Sequence, residues 1–166
     1  IADGWSPDCI RVADTDANRL TSLAQRFPIR TSADNLELIP GADAVVLAVK
    51  PQLLGEVARQ IAPAIPHGAV VISIAAGIRE TTLRDWLGSG NAIVRGMPNT
   101  PALVQSGATA LYANPQVSEE QRSLAESVSL REYHGRGLAP IFTSSGFIKP
   151  DHVQLIKDGR YQDCLV

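Results

Sequence analysis

Apolar positions along the chain fall into two alternating periods. Short, largely apolar stretches occur at residues 10–13, 43–49, 69–76 and 92–95. All four read as strands, that at 43–49 as one buried on both faces of a parallel sheet and that at 69–76 as another buried strand. Between them the spacing is helical. Residues 17–27 place Leu20, Leu23, Ala24 and Phe27 on one face, behind Asp14, Thr15 and Asp16, which suit a helix N-terminus. A brief strand is predicted over 29–31. Residues 51–61 turn Leu54, Val57, Ala58 and Ile61 inward, with Pro51 suited to the first turn and Pro63 and Pro66 ending the run. A short helix is expected over 82–87 and one more strand over 107–113. Ser118-Glu119-Glu120-Gln121 reads as a capping box opening a helix that reaches about residue 128. Strands alternating with helices at this spacing specify an α/β fold with a mostly parallel sheet and flanking helices.

The pattern breaks at about Ser129. Residues 130–166 mix Gly135, Gly137, Pro140, Gly146, Pro150 and Gly159 with scattered apolar side chains, and only 150–157 hints at a helix. The division expected is therefore an α/β domain over 1–128 and an irregular tail over 129–166.

Composition narrows the classes. Of 166 residues 45% are hydrophobic and 19% charged, enough to bury a core. The net charge of −2 gives no basic field for nucleic acid or an anionic membrane. No apolar run approaches the roughly 20 residues of a membrane helix. The first six residues lack the pattern of a signal peptide, and position 1 is not Met, so the natural start is expected upstream. Cys9 and Cys164 match no metal or redox spacing. A reduced, cytoplasmic protein is the plain reading.

Ligands of doubly wound sheets bind beyond the carboxyl ends of the strands. Asp14 ends the first visible strand, where an acid can take both ribose hydroxyls of a dinucleotide or simply cap a helix. Ala48, Val49, Lys50 and Pro51 place small residues, a cation and a rigid turn at the next strand end. Lys50 suits a pyrophosphate, or plain solvent. Ile74, Ala75, Ala76 and Gly77 form a third end; its small residues let backbone and a flat ring approach closely, or serve helix–sheet packing. Met97-Pro98-Asn99-Thr100-Pro101 reads as a proline-stiffened loop holding Asn99 and Thr100 at the ligand edge. The Gly-rich turn expected after the first strand of a dinucleotide fold is absent; Gly88-Ser89-Gly90 and Gly135-Arg136-Gly137 are loops. His67, His134 and His152 are scattered, Glu119 and Glu120 read as a solvated helix face, and Trp5 and Trp86 as packing residues. No metal site is read.

Residues 71–78 (Val-Ile-Ser-Ile-Ala-Ala-Gly-Ile), residues 95–104 (Arg-Gly-Met-Pro-Asn-Thr-Pro-Ala-Leu-Val), residues 107–114 and the Ala-Val-Lys-Pro-Gln of 48–52 together resemble pyrroline-5-carboxylate reductase over about 1–128. The resemblance implies a Rossmann-like domain using NADPH or NADH, whose first strand and Gly-rich turn lie upstream. It also implies a helical C-terminal domain that builds a homodimer, and reduction of the imine of 1-pyrroline-5-carboxylate to L-proline, the last step of proline biosynthesis. Ala48, Val49, Lys50 and Pro51 would line the pyrophosphate and nicotinamide side. Ile74, Ala75 and Ala76 would meet the nicotinamide ribose. Asn35 matches a cofactor-contacting Asn, and Asn99 and Thr100 would lie near the nicotinamide and substrate. Asp14 falls where some members accept the 2′-phosphate of NADPH; a carboxylate repels that group. After residue 128 the family's Gly-Ser-Gly-Pro segment and long helices find no match, so the tail is expected to be foreign to the family, as from a frameshift or a misjoined gene model.

The reading therefore expects no catalytic residue within the chain, little or no turnover from it alone, and weak nucleotide binding. Two other readings stay open: a non-catalytic nucleotide-fold remnant acting as an interaction module, and a related two-domain NADP- or F420-type dehydrogenase.

Overall fold

A computed structural model describes residues 5–98, 109–128, 156–157 and 160–161. The elements follow the alternation read from the sequence: β1 (Arg11–Ala13), α1 (Ala17–Arg26), β2 (Arg30–Ser32), α2 (Asn35–Leu38), β3 (Ala44–Leu47), α3 (Pro51–Ile61), β4 (Val70–Ser73), α4 (Glu80–Leu87), β5 (Ala92–Pro98), β6 (Thr109–Ala113) and α5 (Glu119–Val128). Two further strands, β7 (Ile156–Lys157) and β8 (Arg160–Tyr161), pair antiparallel. Where a helix was expected to reach residue 157, Ile156 and Lys157 are thus strand; the rest of that expected helix lies outside the described residues.

The sheet is in two pieces. Strands β1 and β2 pair in parallel, Val12 opposite Thr31. Strands β3, β4, β5 and β6 form a second sheet in that order. Its first three strands are parallel, in register Val45, Val71, Ile93; β6 runs antiparallel to β5, Gly96 opposite Leu111. Among the described residues no ladder joins β1 to β3. Strand β3 corrects one expectation. The apolar run at 43–49 was read as buried on both faces, yet Val46 is 45% exposed: on its face the α5 core reaches Ala44 but not Val46. Strand β4, paired on both sides, is buried throughout.

Two cores flank the larger sheet. On one face Leu54, Ala58 and Ile61 of α3 and Leu83 and Leu87 of α4 pack on Leu47, Val71 and Ile93, with Ile39 joining from the end of α2. Each fully buried Leu or Ile side chain contributes about 1.5–3 kcal/mol by leaving water. On the other face Ala125 of α5 meets Val70, Ile72, Ala92 and Val94. The capping box closes as expected: the Gln121 amide N–H donates to Ser118 Oγ at 3.2 Å, and the Ser118 N–H to Gln121 Oε1 at 2.8 Å.

Met97 and Pro98 are the second correction. They belong to β5, not to a loop, and pair with Ala110 and Thr109. Pro98 is tolerated because β5 has already outrun β4, whose pairing ends at Arg95, so no ladder bond is lost on that side.

Candidate functional site

The parallel run of β3, β4 and β5 brings their carboxyl ends to one edge. The Ile74 N–H donates to the Leu47 carbonyl at 3.3 Å, so the segment leaving β4 starts beside the segment leaving β3. Beyond Leu47 come Ala48, Val49 and Lys50, and Lys50 is the N-cap residue of α3 with Pro51 at its first helical position. Pro51 has no N–H to lose there and its ring presets the helical φ. The α3 N-terminus carries the positive end of the helix dipole to this edge. Lys50 is exposed, and among the described residues no carboxylate pairs with it.

Beyond Ser73 the chain alternates. Ile74 is 40% exposed, Ala75 is buried in the α3–α4 core, and Ala76 is exposed. Buried Ser73 steadies this exit: its Oγ accepts from the Ala75 N–H at 3.4 Å. Gly77 then turns the chain at φ +78°, a conformation open to glycine at little cost. The arrangement is an apolar, shallow shelf of Ala48, Ile74 and Ala76 next to a helix N-terminus and a cation. A flat ring fits such a shelf and a phosphate fits such a helix end.

Asp14 lies at the end of β1, in the smaller sheet. Its N–H donates to the Ser32 carbonyl at 3.3 Å, which fixes it to β2. Its Oδ1 accepts from the Asp16 N–H at 2.9 Å and its Oδ2 from Arg19 Nη1 at 2.6 Å. The Asp16 amide and then the Arg19 guanidinium hold the carboxyl below the ordinary aspartate range, outweighing a small opposing effect of burial. Asp14 is not the helix cap; Asp16 is, accepting from the N–H groups of Asn18 and Arg19. Sequence reasoning missed Arg19, a helix residue of no special note. The signal was its place, five residues past the acid and in the first turn of the helix that follows.

The structure does not bring every expected site residue together. Asn35 opens α2, and its amide donates to Gln60 Oε1 at 3.2 Å. Gln60 is in the last turn of α3, about 13 Å along the helix axis from Pro51. Asn99 and Thr100 lie outside the described residues. The described residues contain no group of three or more His, Cys, Asp or Glu that could hold a metal ion. None of their helices is long and apolar enough to cross a membrane.

Known proteins resemble this chain over most of its length. Over 120 residues, 72% of this chain and 44% of the relative, the chain is 46% identical to the pyrroline-5-carboxylate reductase of Pseudomonas aeruginosa. The chain is a homologue of the pyrroline-5-carboxylate reductases. It spans about half the length of the curated reductases it matches. The pyrroline-5-carboxylate reductase of Coxiella burnetii superposes with a TM-score of 0.74 at 38% identity, over 76% of this chain and 47% of that one. That of Plasmodium falciparum, solved with NADP bound, gives 0.61 at 28% identity, over 72% and 44%. Residues 1–77 also match a family model described as NADP oxidoreductase, coenzyme F420-dependent. The likeness to these reductases covers a Rossmann-like α/β fold with a mostly parallel sheet and flanking helices.

Proposed function

We propose that this chain carries the dinucleotide-binding part of an NAD(P)H-dependent reductase that converts 1-pyrroline-5-carboxylate to L-proline. The observation that carries the reading is the 46% identity to a curated reductase over 120 residues of the chain. The chemistry of those ends fits a dinucleotide. An ionised acid at the end of β1 suits the adenosine ribose, and the α3 N-terminus with Lys50 suits the pyrophosphate. The shelf of Ala48, Ile74 and Ala76 suits the nicotinamide side.

In this reading a bound reduced nicotinamide would supply the hydride to the carbon of the protonated imine, giving the secondary amine of proline and the oxidised nicotinamide. The chain's own residues bind and orient. Pro51 sets the start of α3 so that its amides point at the edge without rearrangement. Buried Ala75 anchors the β4 exit, so that Ile74 and Ala76 present a fixed surface to the ring. By the family resemblance Asn35 is assigned to the cofactor, and Asn99 and Thr100 to the nicotinamide and the substrate. None of these groups transfers a proton, so the rate in such a site comes from holding the imine against the ring. By the family resemblance that holding belongs to a helical, dimer-building domain, and residues 129–166 are proposed to be foreign to it. The chain alone is therefore expected to turn over little or no substrate, as a soluble cytoplasmic protein.

The test is reduction of 1-pyrroline-5-carboxylate by the 166-residue chain, with NADPH and NADH in parallel. We expect weak cofactor binding and negligible turnover. Rapid turnover would sink the division of labour, because the pocket would then be complete without the helical domain. A folded chain that binds neither cofactor would sink the whole reading. The match of residues 1–77 favours a second reading, an F420-linked NADP reductase; electron transfer between NADPH and coenzyme F420 would support it.

A further inference from the structure

The corner where β1 meets α1 bears on which dinucleotide the site takes, an inference that rests on the cofactor reading above. We infer that Asp14 makes the chain select NADH over NADPH, and that it does so with Arg19 held as its partner.

Three features support this. First, the carboxylate is fixed. Backbone bonding to Ser32, the Asp16 N–H on Oδ1 and Arg19 on Oδ2 leave it one orientation, and each oxygen keeps a lone pair for a ribose hydroxyl. Second, the cation beside Asp14 among the described residues is engaged. Arg19 Nη1 lies 2.6 Å from Asp14, and Nη2 lies 3.8 Å from Asp16. Third, the remaining charges near the ends of β1 and β2 are negative. Asp34 caps α2, and Glu37 accepts from the hydroxyl of Ser32, the residue that binds Asp14. Arg11 and Arg30 face each other in register at the opposite, starting ends of these strands, and Arg11 is committed to the carbonyls of Leu38 and Pro40. A phosphate dianion brought to Asp14 therefore meets net repulsion, whereas two neutral hydroxyls meet acceptors.

The arrangement makes Arg19 a latent phosphate ligand. Removing the Asp14 carboxylate frees a guanidinium that is 62% exposed and within one helical turn of the same place.

Ligand-observed NMR titration of the 166-residue chain tests this, because it reads weak binding without turnover. The probes are NADH, NADPH, 5′-AMP and 2′,5′-ADP, against the wild type, Asp14→Ser, Asp14→Asn and Arg19→Ala. For the wild type we expect NADH to bind at least about tenfold tighter than NADPH, and 5′-AMP tighter than 2′,5′-ADP. In D14S and D14N the ratio should collapse or invert, while circular dichroism stays unchanged. R19A should keep the NADH preference. Equal or tighter NADPH binding by the wild type, or an unchanged ratio in both Asp14 variants, would overturn the inference and leave the cofactor reading standing. Absence of binding by all four probes at roughly millimolar concentration would overturn the cofactor reading and this inference together.

Discussion

Asn114 stands in for a strand neighbour of Ile93. Its N–H donates to the Ile93 carbonyl at 3.0 Å, and its side-chain Oδ1 accepts from the Ile93 N–H at 3.0 Å. The rest of the amide group is also used, Nδ2 donating to the Asn91 carbonyl at 3.0 Å and to Glu80 Oε1 at 3.4 Å. One side chain, 3% exposed, thus ties β5, the end of β6 and the start of α4.

Asn114→Ala leaves the Ile93 N–H without its acceptor in a buried place. A stranded buried donor costs about 1–3 kcal/mol, and we expect a loss near the upper end because Asn91 and Glu80 lose a donor too. Urea denaturation would check this. Asn114→Asp should hurt as well, since it keeps the acceptor for Ile93 but sets a carboxylate against Glu80.

Gly55 governs how closely α3 and α4 approach. A β-carbon there would stand 3.1 Å from a ring atom of Trp86. The ring cannot yield freely, because Arg59 lies over it at 5.3 Å and is itself bonded to the Gly55 carbonyl. Gly to Ala inside a helix ordinarily gains up to about 1 kcal/mol. Here crowding should reverse the sign, for a net loss of about 1 kcal/mol, with a shifted tryptophan emission spectrum as the second readout.

The pH dependence of stability follows from Asp14. Its pKa is lowered in the folded chain, chiefly by the Asp16 amide and then by Arg19. A lowered carboxyl pKa stabilises the fold above the unfolded value of about 4, and the contribution disappears as pH falls through the folded value. The melting temperature should therefore hold level from neutral pH to about 5 and fall below about 4. Asp14→Asn should remove part of that acid limb and leave the neutral plateau lower. Because Arg19 is mostly exposed, 0.5 M salt should weaken the effect, at an ionic strength where screening lengths are only a few ångströms, about 4 Å.

Leu54 is wholly buried between α3 and the sheet. Leu54→Ala should cost about 3 kcal/mol, and Leu53→Ala, one position along on the exposed face, close to none. Paired chemical denaturation curves would read the contrast.

Much of this fold was legible because strand and helix differ in period. The runs around Val45, Val71 and Ile93 announced the parallel strands, and Leu54, Ala58 and Ile61 announced α3. What escaped has physical causes. Helix α2 has four residues, too few for a period to register. Met97 and Pro98 read as loop because two prolines flank Asn99 and Thr100, yet Pro98 sits where no bond to β4 is required. Exposure at Val46 depends on how far the helix on that face reaches across the sheet, and local sequence does not carry that. The placement of Lys50, Ile74 and Ala76 just beyond the ends of β3 and β4 was legible because the apolar runs mark where those strands stop. The Arg19 pairing was not, since one exposed arginine on a helix looks like any other.

The broken ladder between β1 and β3 has a consequence for motion. Among the described residues no backbone hydrogen bond obliges the two sheet pieces to open together; Ile39 at the end of α2 packs into the α3–α4 core. Amide hydrogens should then exchange in two tiers: Val12 and Thr31 early, through a local opening, and Val71, Ile72 and Ile93 late, only through global unfolding. Asp14 belongs to the fast tier and Ile74 to the slow one. A molecule long enough to touch both would act as a splice, and slowed exchange at Val12 would report it even where affinity is too weak to weigh by heat.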